Sequence, residues 1–321
     1  MNRRIRLGLL ALCLTWAGLS VAQDYPNKTI RIIAPFPAGT GPDANTREIA
    51  AELTKVLGQT VVVENRPGAS NMIGMEAGAK APADGYTLVM GSTTSLSVVP
   101  HLYGKVPYKV GDFTPISIVG LLNTSLTAHP SVPEKTAKEL IERLKRQPGS
   151  LVAATSGVGS YSHLAGEWFA ASAGVKIDFV PYNTTSPYAD LVSGQVQVMF
   201  DALPAAIGNV KAGKLKILAL TGKTRHPNFP DIPTFAETGL DGMVALNWWG
   251  IYLPAGTPQA IVDIYNATLA KAMVNPDLKD RYNKLGVEPH ATSPAEFRTF
   301  LANERAKYSK LIADNNIKAD Q

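Results

Sequence analysis

Two short stretches bring together residue types suited to binding an anion. Residues 35–47 read Pro35-Phe36-Pro37-Ala38-Gly39-Thr40-Gly41-Pro42-Asp43-Ala44-Asn45-Thr46-Arg47, and residues 156–163 read Ser156-Gly157-Val158-Gly159-Ser160-Tyr161-Ser162-His163. A strand-like run precedes each, 29–34 in one case and 151–155, ending at Thr155, in the other. A helix pattern follows each, with Ile49, Leu53, Val56 and Leu57 on one apolar face and Leu164, Trp168 and Phe169 on the other. A small-residue loop between a strand and a helix leaves main-chain N–H groups unpaired. The helix dipole adds about half a positive charge there, so the natural guest is an anion. Asp43 and Ser160 stand where helix N-caps stand. Two such ends predict a clamp with one jaw on each of two lobes.

Rival chemistries fit less well. Ser160 and His163 have the types of a nucleophile and its base, but no orienting acid accompanies them, and a capping serine with a first-turn histidine is the simpler reading. Gly39-Thr40-Gly41-Pro42-Asp43-Ala44 matches a dinucleotide fingerprint, with Glu64 about twenty residues on. Against it, Pro35 to Ala38 separate the strand from the first glycine, and Pro42 lacks an N–H. The triplet Gly222-Lys223-Thr224 has Ile217 where a phosphate loop needs its first glycine, and no G-x-S-x-G elbow occurs. His101, His129, His163, His226 and His290 are scattered, so neither a metal nor a cofactor is expected. Asp201 reads as an N-cap, as a ligand contact, or as both. Trp248 and Trp249 alternate on one strand, so one points inward; core packing and a stacking wall for a ligand both stay open for Trp248. Arg47, a turn into its helix, reads as a solvated ion pair.

With 321 residues, 45% hydrophobic and 18% charged, the chain is an ordinary globular protein larger than a single core usually permits. Residues 1–22 carry Arg3, Arg4 and Arg6, an apolar run over 7–19, then Ser20-Val21-Ala22. This predicts a signal peptide cleaved near Ala22 and an exported protein; the run is short of the ~20 residues that span a bilayer. The lone Cys13 lies within it after Leu12, not after the small residue of a lipoprotein signal. Loss of the three arginines takes the net charge from +5 to +2, and no basic run with interleaved aromatics points to nucleic acid.

The rest of the chain alternates strand and helix. Strands are expected at 60–64, 86–91, 177–180, 196–200, 215–220 and 245–253, and helices at 44–57, 73–79, 136–146, 186–192 and 203–212. Three more helices, 258–274, 276–285 and 294–313, each open with proline. The order argues for an α/β protein with mostly parallel sheets flanked by helices. The apolar stretch 113–128 is placed to carry the chain into a second lobe. The return is expected just before Thr221, ahead of Pro227, Pro230 and Pro233. Lobe 1 is then 23–122 with 223–321, lobe 2 is 123–222, and two crossings make a hinge.

The chain further contains Tyr25-Pro26, Val63-Glu64-Asn65-Arg66-Pro67-Gly68-Ala69, Ala81-Pro82-Ala83-Asp84-Gly85-Tyr86-Thr87-Leu88, Val180-Pro181-Tyr182, Gly194-Gln195-Val196-Gln197, Met199-Phe200-Asp201 and Pro254-Ala255-Gly256-Thr257-Pro258. In these and in both loops it resembles the Bug (TctC) family, extracytoplasmic solute receptors of tripartite tricarboxylate transporters. The resemblance implies a two-lobed periplasmic-binding-protein fold, type II-like, that closes on a small organic carboxylate. It implies a monomer without catalysis that hands its ligand to membrane permease subunits. The implied site comprises Phe36, Ala38, Gly39, Thr40 and Asp43, then Ser92, Thr94 and Ser95. From the second lobe it adds Thr155, Gly159, Ser160, His163, Tyr182 and Asp201, and the aromatic strand adds Trp248 as a candidate wall from its own alternation, not from the resemblance. Two departures stand out. Ala38 to Pro42 replaces a run often richer in proline and glycine, and Asn183-Thr184-Thr185 follows Tyr182 where a Lys-Gly pair is common. The missing lysine leaves recognition of a second carboxylate open. An exported hydrolase using Ser160 and His163, or a sensing subunit for a membrane kinase, remain the alternatives.

Overall fold

A computed structural model describes residues 25–182, 186–222, 224–226, 229–241, 243, 246–315 and 317–318. The expected signal segment with Cys13, and Asn183 to Thr185, lie outside the described residues. Strand β1 (Ile30–Ala34) lies between β2 (Val61–Asn65) and β3 (Thr87–Ser92), parallel to both. Covered on both faces, β1 and β3 are nearly continuous apolar runs. Helix α1 (Gly41–Leu57) buries Ile49 and Leu53 and ends on the left-handed Gly58; Val56, expected on the same face, is exposed. Helix α2 (Met72–Ala79) leads to β3, and a π-helical turn, Thr94–Val98, continues into the short helix α3 (Val99–Leu102).

The element that joins the lobes is β4 (Phe113–Ala128), a strand of 16 residues. Its first two thirds, Phe113 to Asn123, pair antiparallel with β9 (Leu246–Pro254), and Thr124 to Ala128 pair with β7 (Val198–Ala202). Pro115 is tolerated because the register slips between Pro115 and Ser117, a bulge at which a ladder N–H is dispensable. Beyond the crossing come α4 (Ala137–Arg146, capped by Thr136), β5 (Val152–Thr155), α5 (Tyr161–Ala173) and β6 (Asp178–Pro181). Helix α6 (Tyr188–Ser193), β7, α7 (Leu203–Lys211) and β8 (Lys216–Leu220) follow. The strand order is β2-β1-β3-β9-β4-β7-β5-β6, with β8 on β4. Each lobe of this α/β fold thus has a parallel trio at its outer edge, and antiparallel β9 and β4 fill the middle.

Two cores match the two lobes. One collects Ile32, Ile49, Leu53, Leu88, Tyr265 and Leu269; the other collects Leu126, Leu140, Phe169, Phe200, Phe235 and Met243. Phe235 and Met243 bear on the return crossing expected just before Thr221. Leu220 accepts the Phe235 N–H at 2.9 Å and donates to Pro233 O at 3.0 Å, so this proline-rich segment lies along β8 inside the second core. Trp249, Ile251 and Leu253 of β9 belong to the first core again. Helices α8 (Gln259–Val274), α9 (Pro276–Lys284) and α10 (Pro294–Asp314) complete the protein. Pro276 and Pro294 open their helices, while Pro258 sits one place before its own. Helix α10 starts against Trp248 and Tyr252 through Phe297 and ends against Tyr161 and Leu164 through Tyr308, Leu311 and Ile312. It is a third link between lobes, laid across them as packed side chains. Among the described residues no helix is long and apolar enough to cross a membrane.

Candidate ligand-binding site

The two glycine loops are the same construction. Gly39 (φ +79°) precedes the N-cap Thr40, and Gly159 (φ +70°) precedes the N-cap Ser160. In each, the third helical residue reaches back to the glycine. Gly39 N–H donates to Asp43 Oδ2 at 2.8 Å, and Gly159 N–H donates to His163 Nδ1 at 3.1 Å. Both glycines need the left-handed region. At Gly159 a Cβ would also come within 1.9 Å of Leu102 Cδ2.

Asp43 is therefore not the N-cap expected of it. It lies inside the first turn, and Thr40 takes the cap position without a side-chain cap bond. Its buried carboxylate also accepts from Asn65 Nδ2 at 2.7 Å and Arg47 Nε at 3.0 Å. Burial alone would raise the Asp43 carboxyl, but Arg47, Asn65 and the Gly39 N–H together hold it below the usual carboxylate range. Arg47 is the half-exposed ion pair expected. Ser160 does cap α5, accepting the His163 main-chain N–H at 3.3 Å. The His163 ring accepts on Nδ1, so its neutral form carries the proton on Nε2, 3.5 Å from Glu167 Oε1. With that ring nitrogen taken by main chain, Ser160 and His163 do not form a nucleophile and base.

Both loops face one cleft made of two adjoining chambers. The smaller, about 390 Å³, is lined by Phe36 and Pro42 of the first loop and by Ser156, Gly157, Val158 and Ser160 of the second. Ser70, Asn71, Ser92 and Thr94 close its other side. The larger, about 560 Å³, lies against Gly39, Thr40 and Gly41, against Asp201, Pro204 and Ile207, and against Leu122, Leu285 and Val287. Pro42, Asn247 and Trp249 line both.

Of the residues expected at the site, Phe36, Gly39, Thr40, Ser92, Thr94, Ser160 and Asp201 are on these walls. Asp43, Gly159 and His163 stand behind the walls and hold the loops. Ser95 and Thr155 are buried beneath them, Ser95 Oγ accepting the Ser92 N–H at 3.0 Å. Ala38 is exposed away from the chambers, and the Tyr182 hydroxyl turns aside to Asp190 Oδ2 at 2.6 Å. Trp248 is wholly buried, its ring edge-on to Phe297 with centroids 5.7 Å apart. Its neighbour Trp249 forms the wall instead, because the register of β9 sets Trp249 opposite Ser92 and Gly120. Nothing local distinguishes the two tryptophans. Period-2 alternation couples Asn247 to Trp249, but only pairing with β3 and β4 says which parity faces the cleft.

Bare main-chain donors are fewer than the loop composition implied. Besides Gly39 and Gly159, Ser156 N–H is taken by Ser162 Oγ at 2.7 Å. Hydroxyl and amide side chains supply much of the polar wall in their place. Ser70 and Asn71 carry a further feature: Ala69, Ser70 and Asn71 have φ of +47°, +52° and +76°. Three consecutive non-glycine residues in the left-handed region cost about 1–2 kcal/mol each, and such strain gathers at functional walls. The turn is held by Met72 N–H to Ala69 O at 2.9 Å and by the Ser70 and Tyr103 hydroxyls, 2.9 Å apart.

Asp201 is the charged group of the larger chamber's interior. It ends within β7 and does not cap α7, whose N-cap is Ala202. Oδ1 accepts the Ala202 N–H at 2.7 Å and Oδ2 accepts from the Tyr188 hydroxyl at 3.2 Å. Burial pushes its carboxyl up to about 6 in spite of these bonds. Among the described residues no cluster of histidine and carboxylate side chains has the makings of a metal site.

Residues 45–317 match the sequence profile of the tripartite tricarboxylate transporter family receptor, TctC. Protein BugT of Bordetella pertussis is 33% identical over 324 residues, covering 99% of both chains. Rpa4515 of R. palustris, solved with adipate, superposes with a TM-score of 0.83 at 32% identity, covering 92% of this chain and 100% of its own. MatC of Rhodopseudomonas palustris, solved with malate, gives 0.76 at 29% identity, covering 90% of this chain and 100% of its own. The profile spans most of the chain, and the chain belongs to the TctC (Bug) family of periplasmic solute-binding receptors, which are not enzymes.

Proposed function

We propose that this receptor captures a small organic carboxylate between its lobes and hands it to the membrane permease subunits of a tripartite transporter. The observation that carries the reading is the pairing of Gly39-Thr40 with Gly159-Ser160, two loops of one design facing a single cleft from opposite lobes. Serine and threonine hydroxyls, asparagine amides and main-chain groups of Gly157 and Val158 suit a carboxylate, which takes several neutral donors at once. Rpa4515 and MatC, bound to adipate and malate, support that ligand class. The separate cores, one holding Ile32, Tyr265 and Leu269 and the other Leu126, Phe200 and Phe235, support a division into two lobes in which the second extends past the expected residue 222 to take in Phe235. Residues 1–22 direct export to the periplasm, where the chain acts as a monomer.

The test is thermal unfolding of the exported chain with mono-, di- and tricarboxylates, amino acids and aromatic acids. A ligand at a hundred times its Kd adds about 2.7 kcal/mol to stability, a clear rise in Tm. No rise with any of these classes overturns the reading. Loss of solute uptake on deleting the permease subunits separates transport from sensing.

A further inference from the structure

We infer that the ligand is an amphipathic monocarboxylate, with its charged head in the smaller chamber, an apolar body in the larger one, and a hydrogen-bond donor, not a second carboxylate, at its far end. This rests on the receptor reading above and narrows it.

The two chambers differ in chemistry. No lysine, arginine or histidine lines the smaller one among the described residues. Its donors are neutral, so they stabilise one anionic head and leave further negative charge uncompensated in a desolvated site. Trp249 then forms the passage to a chamber walled by Leu122, Ile207, Leu285 and Val287. An alkyl or aryl body buried there is favoured in proportion to the apolar surface it removes from water. A second carboxylate carried into the same space meets the carboxylate of Asp201. That oxygen pair already accepts from Ala202 N–H and Tyr188, and its remaining lone pairs can accept a further donor but not another carboxylate. Lys284 is the cation on this chamber's wall, and its ammonium is turned to Asp280 Oδ2 at 2.6 Å, with both side chains largely exposed. It screens the mouth weakly.

Hexanoate, 6-hydroxyhexanoate and adipate share one six-carbon chain and differ only at the far end, so calorimetric titration at pH 7.5 isolates that end. The expected order is 6-hydroxyhexanoate at least as tight as hexanoate, and both at least tenfold tighter than adipate or malate. Asp201→Asn should raise the adipate-to-hexanoate affinity ratio at least fivefold, and so should Ala205→Lys, placed on the exposed lining of the same chamber. Adipate or malate binding as tightly as hexanoate to the parent protein overturns this inference and leaves the receptor reading standing. Silence across every carboxylate class brings down both.

Discussion

Asp43 and His163 occupy equivalent places on opposite sides of the cleft, each accepting the N–H of the glycine four residues before it, at 2.8 and 3.1 Å. The pairing holds two loops that glycine would otherwise leave loose, and the hydroxyls of Thr40, bonded to Pro37 O at 2.7 Å, and of Ser160, which caps α5, fasten the same loops. Carboxylate and imidazole perform one task because the geometry asks only for an acceptor on the third helical residue.

Asp43→Ala removes the acceptor for Gly39, Asn65 and Arg47 together. The expected loss is about 1–3 kcal/mol in urea unfolding at pH 7. Because the folded carboxyl is held low, this stabilisation is present above the ordinary carboxylate pKa and disappears as pH falls through the lowered folded value. The gap between variant and parent therefore closes in acid. An equal gap at pH 7 and in strong acid would refute it.

Asp201 behaves in the opposite sense. Its carboxyl is raised to about 6, so the folded chain holds a proton that the unfolded chain has already released, and stability falls as pH rises from about 4 to 6. Above that window the ionised group costs at most about 3 kcal/mol. Asp201→Asn should raise Tm at pH 7.5 and leave it nearly unchanged at pH 4. No difference between the two pH values would contradict the buried placement.

The tryptophans separate by readout. Trp248→Ala empties a wholly buried site and should cost about 3–5 kcal/mol. Trp249 lines both chambers, so ligand-dependent fluorescence change should vanish in Trp249→Phe and persist in Trp248→Phe. The reverse pattern would place the ligand elsewhere.

Ala69→Gly should stabilise the protein, by up to about 1 kcal/mol, because glycine adopts a φ of +47° without the Cβ penalty and only part of the gain is offset in the unfolded chain. Chemical denaturation checks the sign. A destabilised variant would mean that the alanine side chain is held by contacts worth more than the strain.

Alternating strand and helix, the two loops, Ser160 as a cap and the long run of β4 were readable in the amino-acid order, since each rests on local chemistry within a few residues. Linear order also names the residue types that each loop brings to the cleft. It does not say that Asp43 faces inward to its own loop while Asp201 faces the chamber, because that depends on where Asn65 and Tyr188 arrive from other elements. Nor does it say that Pro233, Thr234 and Phe235 lie along β8, since a stretch with Pro230 and Pro233 has the composition of a linker until Phe235 finds Phe169 and Phe200. The choice of Trp249 over Trp248 is a matter of register between strands more than a hundred residues apart, and the strap formed by α10 is a matter of lobe packing. Local chemistry decides what an element is; only the assembled sheet and cores decide which of its faces meets the cleft, because burial is shared among segments distant in the chain.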